Sequence, residues 1–125
     1  WYHTLPPEER DMVKAYLKAK APKDVRWELE ELTHSGWAIT DIDHPGVRAM
    51  ANALETVWGK RPLFRREGGS IGVVVQLQDY AGVESVLTGF GLPDDQIHSP
   101  NERLHLPTWH KGIESLVHFI YNMSQ

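Results

Sequence analysis

Apolar residues recur every three to four positions in four segments of the chain, which is the spacing of a helix with one apolar face. We expect helices over about residues 7–20, 44–58 and 71–80, and from Pro107 to near the end of the chain. Asp43 and Ser70 are candidate N-caps of the second and third helices, and Gly59 is a candidate stop for the second. The apolar stripe of the last helix has nearly ideal helical spacing: Trp109, Ile113, Leu116, Val117, Ile120 and Tyr121.

Three shorter segments have the pattern of β-strands. Apolar and charged residues alternate over residues 25–30, the period of a strand with one exposed face, and residues 63–66 and 83–88 are further candidates. From residue 44 onward, predicted helices and strands therefore alternate, which indicates a parallel or mixed α/β sheet. Residues 1–40, a helix followed by a half-exposed strand, indicate a separate α+β layer.

Composition narrows the class of protein. The chain has 125 residues, with 13 Lys and Arg against 17 Asp and Glu, and this acidic balance argues against a nucleic-acid partner. No apolar run approaches the length of a membrane-spanning helix, so we expect no membrane contact. The absence of cysteine excludes disulfides and thiolate metal sites and fits a cytoplasmic protein. Because the first residue is Trp1, we expect a chain that begins inside a larger one.

A glycine-rich turn is the first candidate for chemistry. Residues 68–72 match G-x-S-x-G, the nucleophile elbow of serine hydrolases, with Ser70 as nucleophile and Asp94 or Asp95 and His98 following in the appropriate order. The charged residues directly before the motif and the short spacing from acid to histidine argue against this interpretation. The same glycines at a helix start also suit an anion site. A plain turn with a capping serine is equally compatible with the sequence.

A histidine in a polar loop is the second candidate. His98 follows a predicted strand and is flanked by Pro93 and Pro100. In α/β proteins such a loop faces the cleft where ligands bind, and a neutral imidazole there suits zinc. A loop histidine is also often only exposed or hydrogen-bonded. The residue pattern leaves these alternatives open.

Three motifs together resemble one enzyme family. They are DIDHP at residues 41–45, RREGGSI at 65–71 and GFGLPDDQIHSPNE at 89–102. Their order, spacing and closing helix resemble the C-terminal end of the dizinc metallopeptidases that include carnosinase, glutamate carboxypeptidase and acetylornithine deacetylase. The second and third motifs look most like the dipeptidase branch.

The resemblance implies a fold. Its α/β catalytic domain holds two divalent metal ions, usually zinc and sometimes manganese, and carries an inserted α+β (ferredoxin-like) lid domain that often forms a homodimer contact. On this basis we expect residues 1–40 to be the end of the lid domain. Residues 41–125 would then be the C-terminal part of the zinc-peptidase-like catalytic domain.

The resemblance also implies site residues. His98 matches the family's last metal ligand. The turn that contacts substrate is matched by Gly68, Gly69 and Ser70, and the segment that braces the histidine loop is matched by Asn101 and Glu102. The remaining ligands and the general base of the family lie upstream, so we expect no catalytic residue in these 125 residues.

The leading hypothesis is therefore one part of a metal-dependent peptidase or amidohydrolase. Such an enzyme hydrolyses dipeptides or N-acyl amino acids through a metal-activated water. We expect this piece to be inactive alone, to work with the upstream part of the same enzyme, and to form homodimers through the lid. The alternatives are a non-catalytic binding or dimerisation domain of the same fold and a serine hydrolase that uses Ser70.

Overall fold

The described structure, a computed structural model, covers residues 5–30, 36–66 and 71–125. Within these ranges it contains the four helices that the periodicity predicts, each starting and ending within about two residues of the expected position. They are α1 (Pro7–Lys20), α2 (Pro45–Trp58), α3 (Gly72–Ala81) and α4 (Leu106–Met123). None of these helices is long and apolar enough to cross a membrane.

The ends of α2 show one correct prediction and one wrong one. The N-cap is His44 and not Asp43, because the Nδ1 atom of His44 accepts a hydrogen bond from the Gly46 N–H at 3.2 Å. Asp41 instead accepts the Asp43 N–H at 2.9 Å, in the turn before the helix. At the other end Gly59 has a φ of 68°, the left-handed conformation that closes a helix at low cost for glycine.

The start of α3 also differs from the prediction. Its N-cap position is Ile71, which makes no side-chain capping bond. The candidate cap Ser70 is one residue earlier and lies outside the described residues.

The predicted strands are not found. Residues 25–30, 63–66 and 83–88 all lie within the described ranges, and none of them forms a strand there. A strand requires a neighbour that completes its ladder of backbone hydrogen bonds. Alternating side chains identify a segment suited to such a ladder but cannot supply the neighbour. The α/β sheet expected from the alternation is therefore absent from the described residues, whose regular elements are all helices.

The chain divides into two compact units. One consists of residues 1–39 and 66–85 and includes α1 and α3; within it the side-chain amide of Gln78 donates to the carbonyl of Ile39 at 3.2 Å. The other consists of residues 40–65 and 86–125 and includes α2 and α4. The second unit contains His98 and the loop around it.

Most of the buried residues of α2 and α4, both in the second unit, have small side chains. The buried residues of the two helices are Gly46, Ala49, Met50, Ala51 and Ala53 on α2 and Thr108, Gly112 and Ser115 on α4. Two hydrogen bonds cross the pair: Trp58 Nε1 donates to Ser115 Oγ at 3.2 Å, and Asn122 Nδ2 donates to the Ala49 carbonyl at 3.0 Å. Ser115 is fully buried and also donates to the Lys111 carbonyl at 2.8 Å, so its hydroxyl is satisfied.

The large apolar residues of α4 lie on a different face from its buried residues. Their exposed fractions are between 43% and 68%: Trp109, Ile113, Leu116, Val117, Ile120 and Tyr121. The periodicity therefore located the helix correctly, but the face that it marks is not the face that is buried. A contiguous apolar face of this kind is typical of an interaction surface.

Candidate functional site

The loop that carries His98, residues 91–105, is anchored to α4 at both ends. At its start the ring of Phe90 lies directly over Gly112, where an added Cβ would come within 2.9 Å of the ring. At its end a ring nitrogen of His105 lies 2.7 Å from Thr108 Oγ1, across the first turn of α4. Because Gly112 has no side chain, the ring of Phe90 can pack closely against α4. This contact fixes the position of the start of the loop.

A buried carboxylate forms the centre of this loop. Asp95 is 2% exposed, whereas the rest of residues 91–105 are exposed or half-buried. Its Oδ2 atom accepts the Leu92 N–H at 2.7 Å, and its own N–H donates to the Leu92 carbonyl at 3.1 Å. Its carbonyl accepts the Arg103 N–H at 3.0 Å. Asp95 therefore ties together two chain segments on either side of His98.

Arg103 completes the charge arrangement from the far side of the loop. Its Nε atom lies 3.4 Å from Asp95 Oδ1. Oδ1 is buried and accepts no hydrogen bond, so the contact between these two atoms is one of charge alone. A terminal guanidinium nitrogen also pairs with Asp94. This second pair is exposed to solvent, with 56% of the Arg103 side chain and 71% of the Asp94 side chain accessible, so its contribution to stability is small.

The Asp94–Arg103 pair is charged at neutral pH. The side-chain hydrogen bond from Arg103, a backbone hydrogen bond and the guanidinium charge lower the pKa of Asp94. The hydrogen bond and charge of Asp94 in turn raise the pKa of Arg103. Because the pKa of Asp94 is lower in the folded state, the pair stabilises the fold at pH values above the pKa that Asp94 has in the unfolded chain. This stabilisation is lost as the pH falls through the pKa that Asp94 has in the folded state.

The backbone around His98 is in an uncommon conformation. Gln96, His98 and Asn101 have φ values of 55°, 64° and 64°, in the left-handed region. Each such residue costs about 1 kcal/mol or more relative to ordinary backbone, although His and Asn tolerate it better than most. Strained positions of this kind persist only where surrounding contacts hold them, and they are frequent at functional sites.

The side chain of His98 is exposed to solvent. An exposed imidazole on an anchored loop fits a ligand role. A tightly bound metal needs three or four such donors, however. Across residues 5–30, 36–66 and 71–125 no three His, Asp or Glu side chains come together to hold a metal ion. The described residues therefore do not build a complete metal site, and the ligand role of His98 stays a prediction.

The other predicted site residues lie either in the same loop as His98 or outside the described residues. Asn101 and Glu102 are exposed in the same loop, and the Glu102 N–H donates to the Ser99 carbonyl at 3.2 Å in a local turn. The substrate-contacting turn predicted at residues 68–70, including the Ser70 of the serine-hydrolase alternative, lies outside the described residues. The roles of all these residues stay predictions.

Sequence reasoning missed the contacts that hold the loop. Asp95 and Arg103 were not singled out as its supports, although an acidic pair followed eight residues later by an arginine was a usable signal. Nothing in the local pattern distinguishes buried Asp95 from exposed Asp94. The contact between Phe90 and Gly112 joins residues far apart in the chain and had no sequence signal at all.

The Phe90–Gly112 contact leads to a stability prediction. Gly112→Ala places a methyl group against the ring, and overpacking of this kind costs about 1–3 kcal/mol. Alanine recovers about 1 kcal/mol of helix propensity, so we expect a net loss of roughly 1 kcal/mol in the free energy of unfolding. Urea denaturation of the wild type and the variant measures this difference in the free energy of unfolding. Gly89→Ala, with no atom near the added Cβ, is the control. In a Phe90→Ala background the cost should vanish; an equal cost there would contradict the packing explanation.

Comparison with known proteins identifies the family pattern. The sequence pattern of peptidase family M20/M25/M40 matches residues 6–122. The Cys-Gly metallodipeptidase dug1 of Schizosaccharomyces pombe is 37% identical over 92 residues, and the alignment covers 73% of this chain and 19% of that protein. The Beta-Ala-His dipeptidase of Homo sapiens is 30% identical over 87 residues, covering 70% of this chain and 17% of that protein. The chain thus spans about a fifth of the length of these relatives.

A solved structure agrees with the sequence comparison. The di-peptidase Dug1p from Saccharomyces cerevisiae matches 71% of this chain with a TM-score of 0.67 and 29% sequence identity, over 19% of its own chain. The matched fold is a C-terminal part of that peptidase. The fold and the family pattern therefore agree over most of the chain.

Proposed function

Because this chain belongs to peptidase family M20/M25/M40, we propose that it is part of a metal-dependent hydrolase that cleaves dipeptides or N-acyl amino acids. The observation that carries the proposal is the family match over residues 6–122. These residues include the anchored loop on which the imidazole of His98 is exposed. The relatives in the comparison are named as dipeptidases, and this favours dipeptides over N-acyl amino acids.

We assign His98 as one ligand of a two-metal site whose other ligands and general base come from the upstream part of the same enzyme. When bound, two divalent ions, most simply zinc, supply an activated water and polarise the scissile carbonyl. The loop of residues 91–105 contributes by holding the imidazole in place. Gly68, Gly69 and Ser70 contact the substrate, and Asn101 and Glu102 brace the loop. These assignments rest on the motif correspondence.

The same motifs divide the chain between two domains. Residues 1–40 are the end of a lid domain that mediates homodimer formation, and residues 41–125 belong to the catalytic domain. The lack of cysteine favours a cytoplasmic location. Size-exclusion chromatography with light scattering of the intact enzyme tests the dimer.

The intact enzyme that carries this chain tests the activity. We expect it to hydrolyse Cys-Gly or β-Ala-His, to lose this activity with a chelator, and to recover it with Zn²⁺ or Mn²⁺. The ion that restores the higher rate identifies the preferred metal. Activity that survives complete removal of metal, with Ser70 labelled by a fluorophosphonate, would contradict the proposal in favour of the serine hydrolase.

A non-catalytic binding domain of the same fold is the second candidate, because α4 exposes a contiguous apolar face. It predicts that the encoded residues upstream of Trp1 lack the family's other metal ligands. It also predicts an intact protein without dipeptidase activity at any metal concentration. The upstream sequence and the hydrolysis assay therefore separate the two candidates.

A further inference from the structure

The loop around His98 has no apolar centre of its own. Within residues 91–105, all of which the structure describes, only Asp95 is buried. A short loop usually keeps its shape by packing its own side chains inside, as compact Ω-loops do. Here a carboxylate occupies that position, and a buried carboxylate is retained only where hydrogen bonds and opposite charge compensate for its lost hydration.

The contacts of Asp95 are placed where they control the loop's geometry. Its side chain and backbone bind Leu92 on one side of His98, and its carbonyl and Oδ1 meet Arg103 on the other. The chain between these two points contains the left-handed residues Gln96, His98 and Asn101. Because these conformations are unfavourable by themselves, contacts at the two ends are needed to keep them populated.

We propose that Asp95 is the positioning residue for His98: by joining Leu92 to Arg103 it fixes the backbone of residues 96–101 and so sets the direction of the imidazole. The inference rests on the proposed function in one respect, namely that His98 binds metal. Residues that orient a ligand through neighbouring contacts typically change metal affinity by 10- to 100-fold when they are replaced.

Three variants of the intact enzyme test this role. Asp95→Asn keeps an oxygen that can accept the Leu92 N–H but removes the charge that faces Arg103, and Asp95→Ala removes both. Asp94→Asn is the matched control, because it makes the same chemical change in an exposed neighbour that also pairs with Arg103. Circular dichroism and thermal melting show whether each variant folds, and Asp95→Asn serves if Asp95→Ala does not.

Two measurements are made on each variant. Hydrogen exchange followed by mass spectrometry compares peptides from residues 92–103 with peptides from α2 and α4. Competition with a chromophoric chelator measures the affinity for Zn²⁺. We expect loop exchange to rise about tenfold or more and Zn²⁺ affinity to fall 10- to 100-fold in the Asp95 variants, with Asp95→Ala the more severe. Asp94→Asn should stay within about twofold of wild type. Raised Zn²⁺ should restore the hydrolysis rate of Asp95→Asn.

The outcomes separate the two proposals. Faster loop exchange with unchanged Zn²⁺ affinity would overturn the positioning of His98 and leave the peptidase assignment intact. Equal effects of Asp94→Asn and Asp95→Asn would also overturn it, since Arg103 alone would then be responsible. A wild-type enzyme that binds no Zn²⁺ would overturn the peptidase assignment. In that case, unchanged exchange over residues 92–103 in Asp95→Asn would independently overturn the loop-fixing role.

Discussion

His98→Ala in the intact enzyme is expected to remove one of the two bound metal ions and to lower kcat/KM by about 100-fold or more. The imidazole is exposed on a loop that is anchored at Phe90, Asp95 and Arg103, and the proposed function makes it one of the ligands of the two-metal site. Loss of a direct ligand should cost at least as much as loss of a residue that only orients one, for which 10- to 100-fold is typical. Elemental analysis of the purified variant and steady-state kinetics measure both effects.

His110→Ala provides the control for this prediction. His110 is also exposed, but it lies on α4 beside Trp109, with the two ring centroids 5.4 Å apart. The same substitution there should leave the metal content at wild-type level and the activity within about twofold. Because histidine tolerates a φ of 64° better than alanine does, circular dichroism and thermal melting of His98→Ala are needed to show that the variant still folds. A normal metal content in His98→Ala would show that His98 is not a ligand.

The 125-residue chain prepared by itself is expected to hydrolyse no dipeptide and to bind Zn²⁺ only weakly. Within the residues that the structure describes, His98 has no companions with which it could enclose a metal ion, and one imidazole does not bind zinc tightly. Isothermal titration with Zn²⁺ and a dipeptide assay with and without chelator measure the two properties. Chelator-sensitive cleavage by the isolated chain would disprove this prediction.

Two controls make a negative result meaningful. Circular dichroism must show helix content in line with the four described helices, because an unfolded chain would be inactive for a trivial reason. Light scattering must show that the sample does not aggregate through the exposed apolar face of α4. The intact enzyme, assayed in the same buffer, supplies the positive reference.

The accuracy of the sequence-based predictions depended on how local each feature is. The four helices were predicted to within about two residues, because helical hydrogen bonds join residues four apart and apolar periodicity records the same spacing. The N-cap of α2 was placed at Asp43 instead of His44, since both residues can accept a backbone N–H and only the geometry selects one. The three strands were wrong for the described residues because each needs a partner strand that periodicity does not specify.

The candidate site shows the same limit. The motif around His98 was evident as a sequence pattern, and the family that it resembles agrees with the comparisons. The contacts that hold the loop were not evident, because Asp94 and Asp95 are adjacent and chemically identical, and their distances in sequence to Arg103 differ by one residue. Their exposures nevertheless differ widely, with 71% of the Asp94 side chain accessible against 3% for Asp95.

By itself the sequence determined the positions of the helices, the family and the residue proposed as a metal ligand, since all three depend on residue type and short-range spacing. Only the tertiary structure decided which face of α4 packs on α2 and which aspartate supports the histidine loop. Burial is decided by residues distant in sequence, such as Phe90 over Gly112 and Trp58 on Ser115. A local pattern shows that a helix has a small-residue face and a large apolar face. It does not show which of them meets a neighbour.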